Sequence, residues 1–115
     1  MNRPSDINLL EHILESCAII SRRVGGIDRA AFAVNDVLLD SIVRQIENIG
    51  EAARLISPEF KNKHPAVPWP LIQAMRNRLI HAYWATDAGA VWETAANEIP
   101  VLTAQIKAII AKEQS

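Results

Sequence analysis

Apolar residues recur every three or four positions over most of this chain, which is the spacing of a helix with one buried face. The first such run follows Pro4-Ser5-Asp6 and ends at Gly25-Gly26. Its apolar members are Ile7, Leu10, Ile13, Leu14, Cys17, Ile20 and Val24. No stretch alternates apolar and polar residues for long enough to be a strand. The periodicity therefore predicts an all-α protein.

A second long helix is predicted to begin at Asn35-Asp36, after a short helical turn that starts near Asp28. It holds the same spacing as far as Ile56, where Ser57-Pro58 closes it. Gly50 lies inside this helix at a cost of about 1 kcal/mol relative to alanine. We therefore expect the backbone of a neighbouring element to approach closely at Gly50.

Prolines divide the second half of the chain. Pro65, Pro68 and Pro70 forbid a continuous helix, so residues 57–70 are predicted to form a loop with one helical turn. The next helix is predicted to begin at Trp69 or Pro70 and to run to about Trp84.

The last part of the chain is also predicted to be helical. Ala85-Thr86-Asp87 is predicted to be a break followed by a new helix cap, and Pro100 is expected to kink or divide the helix that follows. Residues 1–115 are thus predicted to form one domain, an antiparallel bundle of four or five helices.

Composition supports a globular domain with a core of its own. Half of the 115 residues are hydrophobic and 22% are charged. The one cysteine, Cys17, allows neither an internal disulfide nor a cysteine-based zinc site. We recognise no signal peptide and no membrane span, and we expect a cytoplasmic protein.

Charge is balanced overall but unevenly distributed. The formal net charge of −1 excludes a strongly basic nucleic-acid coat protein. Residues 60–86 nevertheless contain no Asp or Glu. The basic and titratable residues in that stretch are Lys61, Lys63, His64, Arg76, Arg78 and His81. One surface is therefore expected to attract phosphate.

Gln73 to Trp84 is the segment most able to carry chemistry. On a helical wheel its buried face contains Ile72, Met75, Leu79, Ala82 and Tyr83. Arg76 lies at the edge of that face, and Asn77 and His81 are i and i+4 neighbours on the opposite side together with Ile80 and Trp84. Two large apolar residues beside polar ones suit contact with a second subunit.

A dimer would give this segment a chemical use. On one helix Arg76 and His81 lie about 7.5 Å apart along the axis and about 140° apart around it. A two-fold axis would bring two copies of Arg76, Asn77 and His81 into one cleft. Metal-independent RNA cleavage needs a base, an acid and cationic stabilisation of the phosphorane, which two histidines and Arg76 would supply. Asn77 would orient His81 or a phosphate oxygen.

The string Arg76-Asn77-Arg78-Leu79-Ile80-His81-Ala82-Tyr83 resembles the R-x4-H-x-Y signature of the HEPN superfamily, in its HepT-like branch. The resemblance extends to Ile49-Gly50-Glu51-Ala52-Ala53, to Pro68-Trp69 and to the segments around Val91-Trp92 and Ile99-Pro100. It covers most of the chain in the order that the family shows.

The resemblance implies a homodimeric toxin, a metal-independent endoribonuclease that needs no cofactor. Arg76 and His81 would form its site, with Asn77 as an accessory polar residue. It also implies an antitoxin partner, a minimal nucleotidyltransferase of the MntA type that transfers AMP to Tyr83. A phosphate attached beside the cleft would repel RNA.

Each candidate residue also has a structural interpretation. Arg76 is suited to a salt bridge with Glu47 or Glu51, and His81 to a hydrogen-bonded place in an interface. Tyr83 is equally suited to the core with its hydroxyl exposed. His64 is interpreted as a loop residue. The set Arg44, Glu47, Glu51 and Arg54 has the spacing of pairs within one helix.

Two other functions stay open at this point. A non-catalytic helical dimer would bind nucleotide or a nucleotidyltransferase without cleaving RNA. A helix-turn-helix DNA reader is disfavoured, because the chain is nearly neutral and lacks a basic recognition helix beyond Arg76 and Arg78.

Overall fold

The computed structural model describes residues 5–81 and 85–115, and the side chains of Ile80, His81 and Ala85 are outside that description. Three long helices form the body of the fold: α1 (Asp6–Val24), α3 (Asp36–Leu55) and α8 (Ile99–Glu113). The shorter helices are α2 (Arg29–Ala33), α4 (Pro58–Lys63), α5 (Trp69–Gln73), α6 (Met75–Leu79) and α7 (Ala88–Glu93). A π-helical segment, Thr94–Glu98, joins α7 to α8. The all-α prediction is confirmed.

Five of the helices, α1, α2, α3, α4 and α7, begin where short polar side chains cap them. In each case the side-chain oxygen accepts a hydrogen bond from the backbone N–H three residues on, which satisfies one of the donors left free by the helix geometry. These capping pairs are Ser5 with Asn8, Asp28 with Ala31, Asn35 with Leu38, Ser57 with Phe60 and Asp87 with Ala90. The helix starts predicted at Ser5, near Asp28, at Asn35 and at Asp87 are therefore confirmed. The cap at Ser57 is additional, because the sequence predicts only the end of α3 there.

Helices α1 and α3 run antiparallel. At one end the Asp6 carboxylate accepts hydrogen bonds from the Ser57 backbone N–H and hydroxyl, and at the other Arg23 donates to the Ser41 hydroxyl. Their facing apolar residues form the core with those of α8 and the shorter helices, as hydrophobic burial requires. The fully buried members of α1, α3 and α8 include Leu10, Ile13, Ile20, Ile42, Ile46, Ile49 and Ile106.

Helical backbone continues through Pro100. The turn before it widens into the π-helical segment, and Pro100 occupies the first turn of α8. Proline lacks an N–H and its ring crowds the carbonyl four residues earlier, so a change of helix type at this point relieves both problems. The expected division at Pro100 is therefore a change from π-helix to α-helix.

The helix predicted to run from Trp69 or Pro70 to Trp84 does not do so, and this expectation is wrong. It starts at Trp69, is interrupted by a turn at Ala74 and ends at Leu79. The Leu79 carbonyl accepts a hydrogen bond of 2.8 Å from the Asp87 backbone N–H, and β1 (Ile80–His81) then pairs antiparallel with β2 (Ala85–Thr86). The hydrogen bond from Asp87 thus joins the end of α6 to the cap of α7.

The helical part of this segment buries the predicted face. Ile72, Met75 and Leu79 are buried, whereas Ala82 and Tyr83 lie outside the described residues. No helix in the described part of the chain is both long and apolar enough to cross a membrane.

Candidate functional site

Gly50 sets the distance between α3 and the helix that leads to the motif. A methyl group at its Cα would lie 3.4 Å from the Ile72 carbonyl oxygen and 3.5 Å from that of Gln73. Both are at the lower end of van der Waals contact, and Gly50 is buried. The expected close approach of a neighbouring backbone is confirmed, and it holds α5 and the start of α6 against α3.

This packing brings Arg76 on α6 beside Glu47 on α3. The Nε atom of Arg76 lies 3.1 Å from Oε2 of Glu47, and the two side chains are 49% and 46% exposed. The structural interpretation of Arg76 as a salt-bridge partner is therefore confirmed for Glu47. Glu47 makes this pair across helices, whereas Glu51 pairs within α3 with Arg54, as its spacing predicted.

An open cleft of about 380 Å³ lies between α3 and the α5–α6 segment, and Arg76 and Asn77 both border it. Both residues are exposed, so both candidate site residues are accessible to a ligand in the monomer. The remaining lining residues are mostly polar: Glu47, Asn48, Gly50, Glu51, Arg54 and Gln73. Guanidinium and amide groups are donors suited to phosphate and nucleobases.

His81 follows α6 instead of lying on it. Its backbone pairs with Ala85 in the two-residue ladder, so the axial and angular separation calculated for Arg76 and His81 on one helix does not apply. The side chains of Ile80 and His81 are not described, and Tyr83 and Trp84 lie outside the described residues. The roles predicted for these four residues stay predictions.

The acid-free stretch 60–86 receives its carboxylates from other parts of the chain. Glu113 on α8 lies 2.8 Å from both Lys63 Nζ and His64 Nε2. Glu98 lies 3.3 Å from Arg78, and Arg76 has Glu47. Partial burial lowers the pKa of Lys61. Most basic side chains of the expected phosphate-attracting surface are thus paired with acidic side chains in the monomer, which offset their positive charge locally.

His64 is a structural residue that the sequence interpretation placed in a loop. It caps the end of α4, is buried, and contacts Phe60 with ring centroids 4.7 Å apart. Its carbonyl accepts a 3.0 Å hydrogen bond from the Trp69 indole. Hydrogen bonds from Lys63 and His64 lower the pKa of Glu113. The contact with Glu113 is not indicated by the sequence around His64, because the two residues are 49 positions apart.

The fold and the cleft define a class: an all-helical protein in which an arginine-bearing helix packs on a long helix and leads into a reversal of the chain. The sequence profile of the family described as "Ribonuclease HepT-like" matches residues 13–109. The chain belongs to this family, which confirms the resemblance seen in the motif.

Individual relatives agree with the family assignment. The chain is 44% identical over 105 residues to "Putative RNase TTE0752" of Caldanaerobacter subterraneus subsp. tengcongensis, covering 91% of this chain and 94% of that protein. It is 36% identical over 93 residues to "Probable ribonuclease HepT" of Thermococcus cleftensis, covering 81% and 84% of the two chains. No solved structure matches significantly.

Proposed function

We propose that this protein is an endoribonuclease that cleaves RNA without a metal ion and acts as the toxin of a toxin–antitoxin pair. Membership of the ribonuclease HepT-like family over residues 13–109 is the observation that carries the proposal. The exposure of Arg76 and Asn77 at the edge of one cleft supports it, since a polynucleotide has to reach these groups from solvent. We further propose that residues 1–115 act as one domain.

The proposed reaction is a transesterification within RNA. One His81 removes the proton of a 2'-hydroxyl, and that oxygen attacks the adjacent phosphorus. The bond from phosphorus to the 5'-oxygen then breaks, and this oxygen takes a proton from the histidine of the second protomer. The products are a 2',3'-cyclic phosphate and a 5'-hydroxyl end. Arg76 stabilises the charge on the non-bridging oxygens, and Asn77 orients His81 or a phosphate oxygen.

This reaction requires a homodimer, because one chain supplies a single His81. Ile80 and Trp84 are the proposed apolar contacts between the protomers. Within the described residues, Val34 and Val37 are further large apolar side chains that are mostly exposed. Burial of apolar surface is what makes a permanent dimer favourable.

The proposed partner that silences the toxin is an MntA-type nucleotidyltransferase, which would transfer AMP to the Tyr83 hydroxyl. The added phosphate would repel RNA from the neighbouring cleft. Co-expression with such an enzyme should add the mass of AMP to the Tyr83 peptide, and Tyr83→Phe should abolish the addition.

Cleavage is tested with purified protein and RNA in EDTA. We expect 2',3'-cyclic phosphate ends, a loss of about 10²–10³-fold in rate for Arg76→Ala and of about 10²–10⁴-fold for His81→Ala. Circular dichroism checks that both variants remain helical. Cleavage that persists unchanged in His81→Ala would exclude the proposed site.

The ion pair of Arg76 with Glu47 in the monomer is also compatible with the non-catalytic alternative. This alternative predicts a helical dimer that binds nucleotide or a nucleotidyltransferase and never cleaves RNA. Under that alternative, complex formation survives His81→Ala and RNA remains intact in every condition tested.

A further inference from the structure

Glu47 lies on α3 close to the contact between α3 and α5. It lies three residues before Gly50, on the same side of the helix, where the backbone of α5 comes nearest. The backbone of Glu47 therefore has a fixed position relative to the start of α6, from which Arg76 projects. From this position the half-exposed Glu47 carboxylate reaches the Arg76 guanidinium.

Arg76 approaches its glutamate with a different edge of the guanidinium from Arg29 and Arg78. The Nε atom of Arg76 lies 3.1 Å from Oε2 of Glu47. Terminal amino groups make the ion pairs of Arg29 with Glu93 and of Arg78 with Glu98. Arg54 donates to Glu51 from both Nε and Nη2.

A guanidinium group carries five N–H donors in one plane, and its outer edge matches two oxygens of a phosphate. An acid bound at Nε restricts rotation of this plane and leaves the outer edge free. An acid bound at the terminal nitrogens competes for the outer edge. The contact between Glu47 and Arg76 is thus of the kind that orients an arginine without occupying its phosphate-binding edge.

We propose that Glu47 is a positioning residue for Arg76, which holds the guanidinium ready for the scissile phosphate of RNA; this inference rests on the function proposed above. Orientation before binding avoids the need to fix a flexible side chain in the transition state. Glu47 also places a negative charge in the cleft, which weakens RNA binding. Loss of Glu47 should therefore lower kcat while leaving KM unchanged or lower.

A merely electrostatic role for Glu47 predicts the opposite change in kcat. If the carboxylate only neutralises Arg76, its removal frees the arginine, tightens RNA binding and leaves kcat unchanged or raises it. The direction of the change in kcat distinguishes these two roles, because both allow tighter binding.

The experiment measures kcat and KM for cleavage of an oligoribonucleotide by Glu47→Gln, and the Kd for its 2'-O-methyl analogue. We expect kcat to fall roughly 10- to 100-fold, because a small misplacement of a catalytic group causes losses of this size. Binding of the analogue should be at least as tight as in wild type. Glu47→Asp keeps the charge and should recover most of the loss. The control is Glu98→Gln. Glu98 forms a comparable exposed pair with Arg78, which lies on α6 like Arg76, and this variant should keep the wild-type kcat.

A double variant tests whether Glu47 acts through Arg76. Lysine ends in a single ammonium group without separate edges, so Glu47 cannot bind one edge and leave another for phosphate. Adding Glu47→Gln to Arg76→Lys should therefore lower kcat no further. An equal loss in both backgrounds, or a wild-type kcat in Glu47→Gln, would overturn the positioning role.

The outcomes separate this inference from the function on which it rests. Wild-type protein that leaves RNA intact would overturn both. Cleavage that depends on Arg76 but is unaffected by Glu47→Gln would overturn only the role of Glu47. Thermal unfolding of each variant shows whether it is folded, and an exposed pair of this kind contributes about 0–1 kcal/mol, so little change is expected.

Discussion

Several basic residues of this protein form ion pairs with glutamates. These ion pairs differ in the helices that they connect. Glu51 and Arg54 form an exposed pair within one helix, so this pair connects no two elements. Glu47 reaches across to Arg76 and fixes a candidate catalytic side chain. Glu113 accepts from Lys63 and His64 and joins α8 to the end of α4. What each pair does depends on which elements it connects.

Glu113 makes stability dependent on acid pH. Its pKa is lowered by hydrogen bonds from Lys63 and His64. Such a carboxyl contributes stability that is complete above its ordinary pKa of about 4.3 and is lost as pH falls through the lowered value in the folded state. The thermal midpoint of wild type should exceed that of Glu113→Gln at neutral pH, and the difference should shrink in acid.

Glu11→Gln is the matched control, since Glu11 is an exposed glutamate with no ion pair in the described part of the chain. Its thermal midpoint should follow that of wild type across the same pH range. A difference between wild type and Glu113→Gln that stays constant down to pH 2 would show that the carboxylate contributes no charge-dependent stability.

Among the elements, the α5–α6 segment is the one that sets up the candidate site. Its start is fixed by the contact of Ile72 and Gln73 with Gly50, and its end by the hydrogen bond from Asp87 to Leu79. Between these two points only a few residues remain, and Arg76 is among them. The short length of α6 is therefore a condition for the position of Arg76.

Substitutions at Gly50 should separate helix stability from helix packing. Gly50→Ala adds a methyl group that just fits and should stabilise the fold by up to about 1 kcal/mol through helix propensity. Gly50→Leu has no room in this buried position and should push α5 from α3, at a cost of about 1–3 kcal/mol. Urea unfolding measures both effects.

Cleavage assays on the same variants connect packing to the site. Gly50→Ala should cleave RNA like wild type, whereas Gly50→Leu should lose activity more than its stability explains, because Arg76 moves with α5 and α6. Wild-type activity in a folded Gly50→Leu protein would contradict this dependence.

At the scale of the whole molecule, three long helices form a core to which every shorter element is attached. The fully buried isoleucines on α1, α3 and α8 form the centre, and the candidate cleft lies on the outside of α3. The cleft is open to solvent, so exclusion of water during a reaction would have to come from the RNA or from a second protomer.

The proposed dimer is tested by substitution at Ile80. Ile80→Asp would place a charge in an apolar interface, so we expect light scattering to show a monomer, with loss of RNA cleavage and unchanged helical circular dichroism. The conservative Ile80→Val should remain a dimer and remain active. A fully active Ile80→Asp monomer would refute the requirement for two protomers.

The sequence by itself determined the helical class, the capping residues, the close approach at Gly50 and the family signature around Arg76. These depend on contacts within one helical turn or on the residue types themselves, so they can be recognised along the chain. Only the tertiary structure decided that α6 ends at Leu79, that Glu47 and not Glu51 takes Arg76, and that His64 is buried against Glu113. The contacts of Glu47 with Arg76 and of His64 with Glu113 join segments far apart along the chain, and such contacts exist only after the helices have packed. The hydrogen bond from Asp87 to Leu79 joins the end of α6 to the start of α7, which helical periodicity does not reveal.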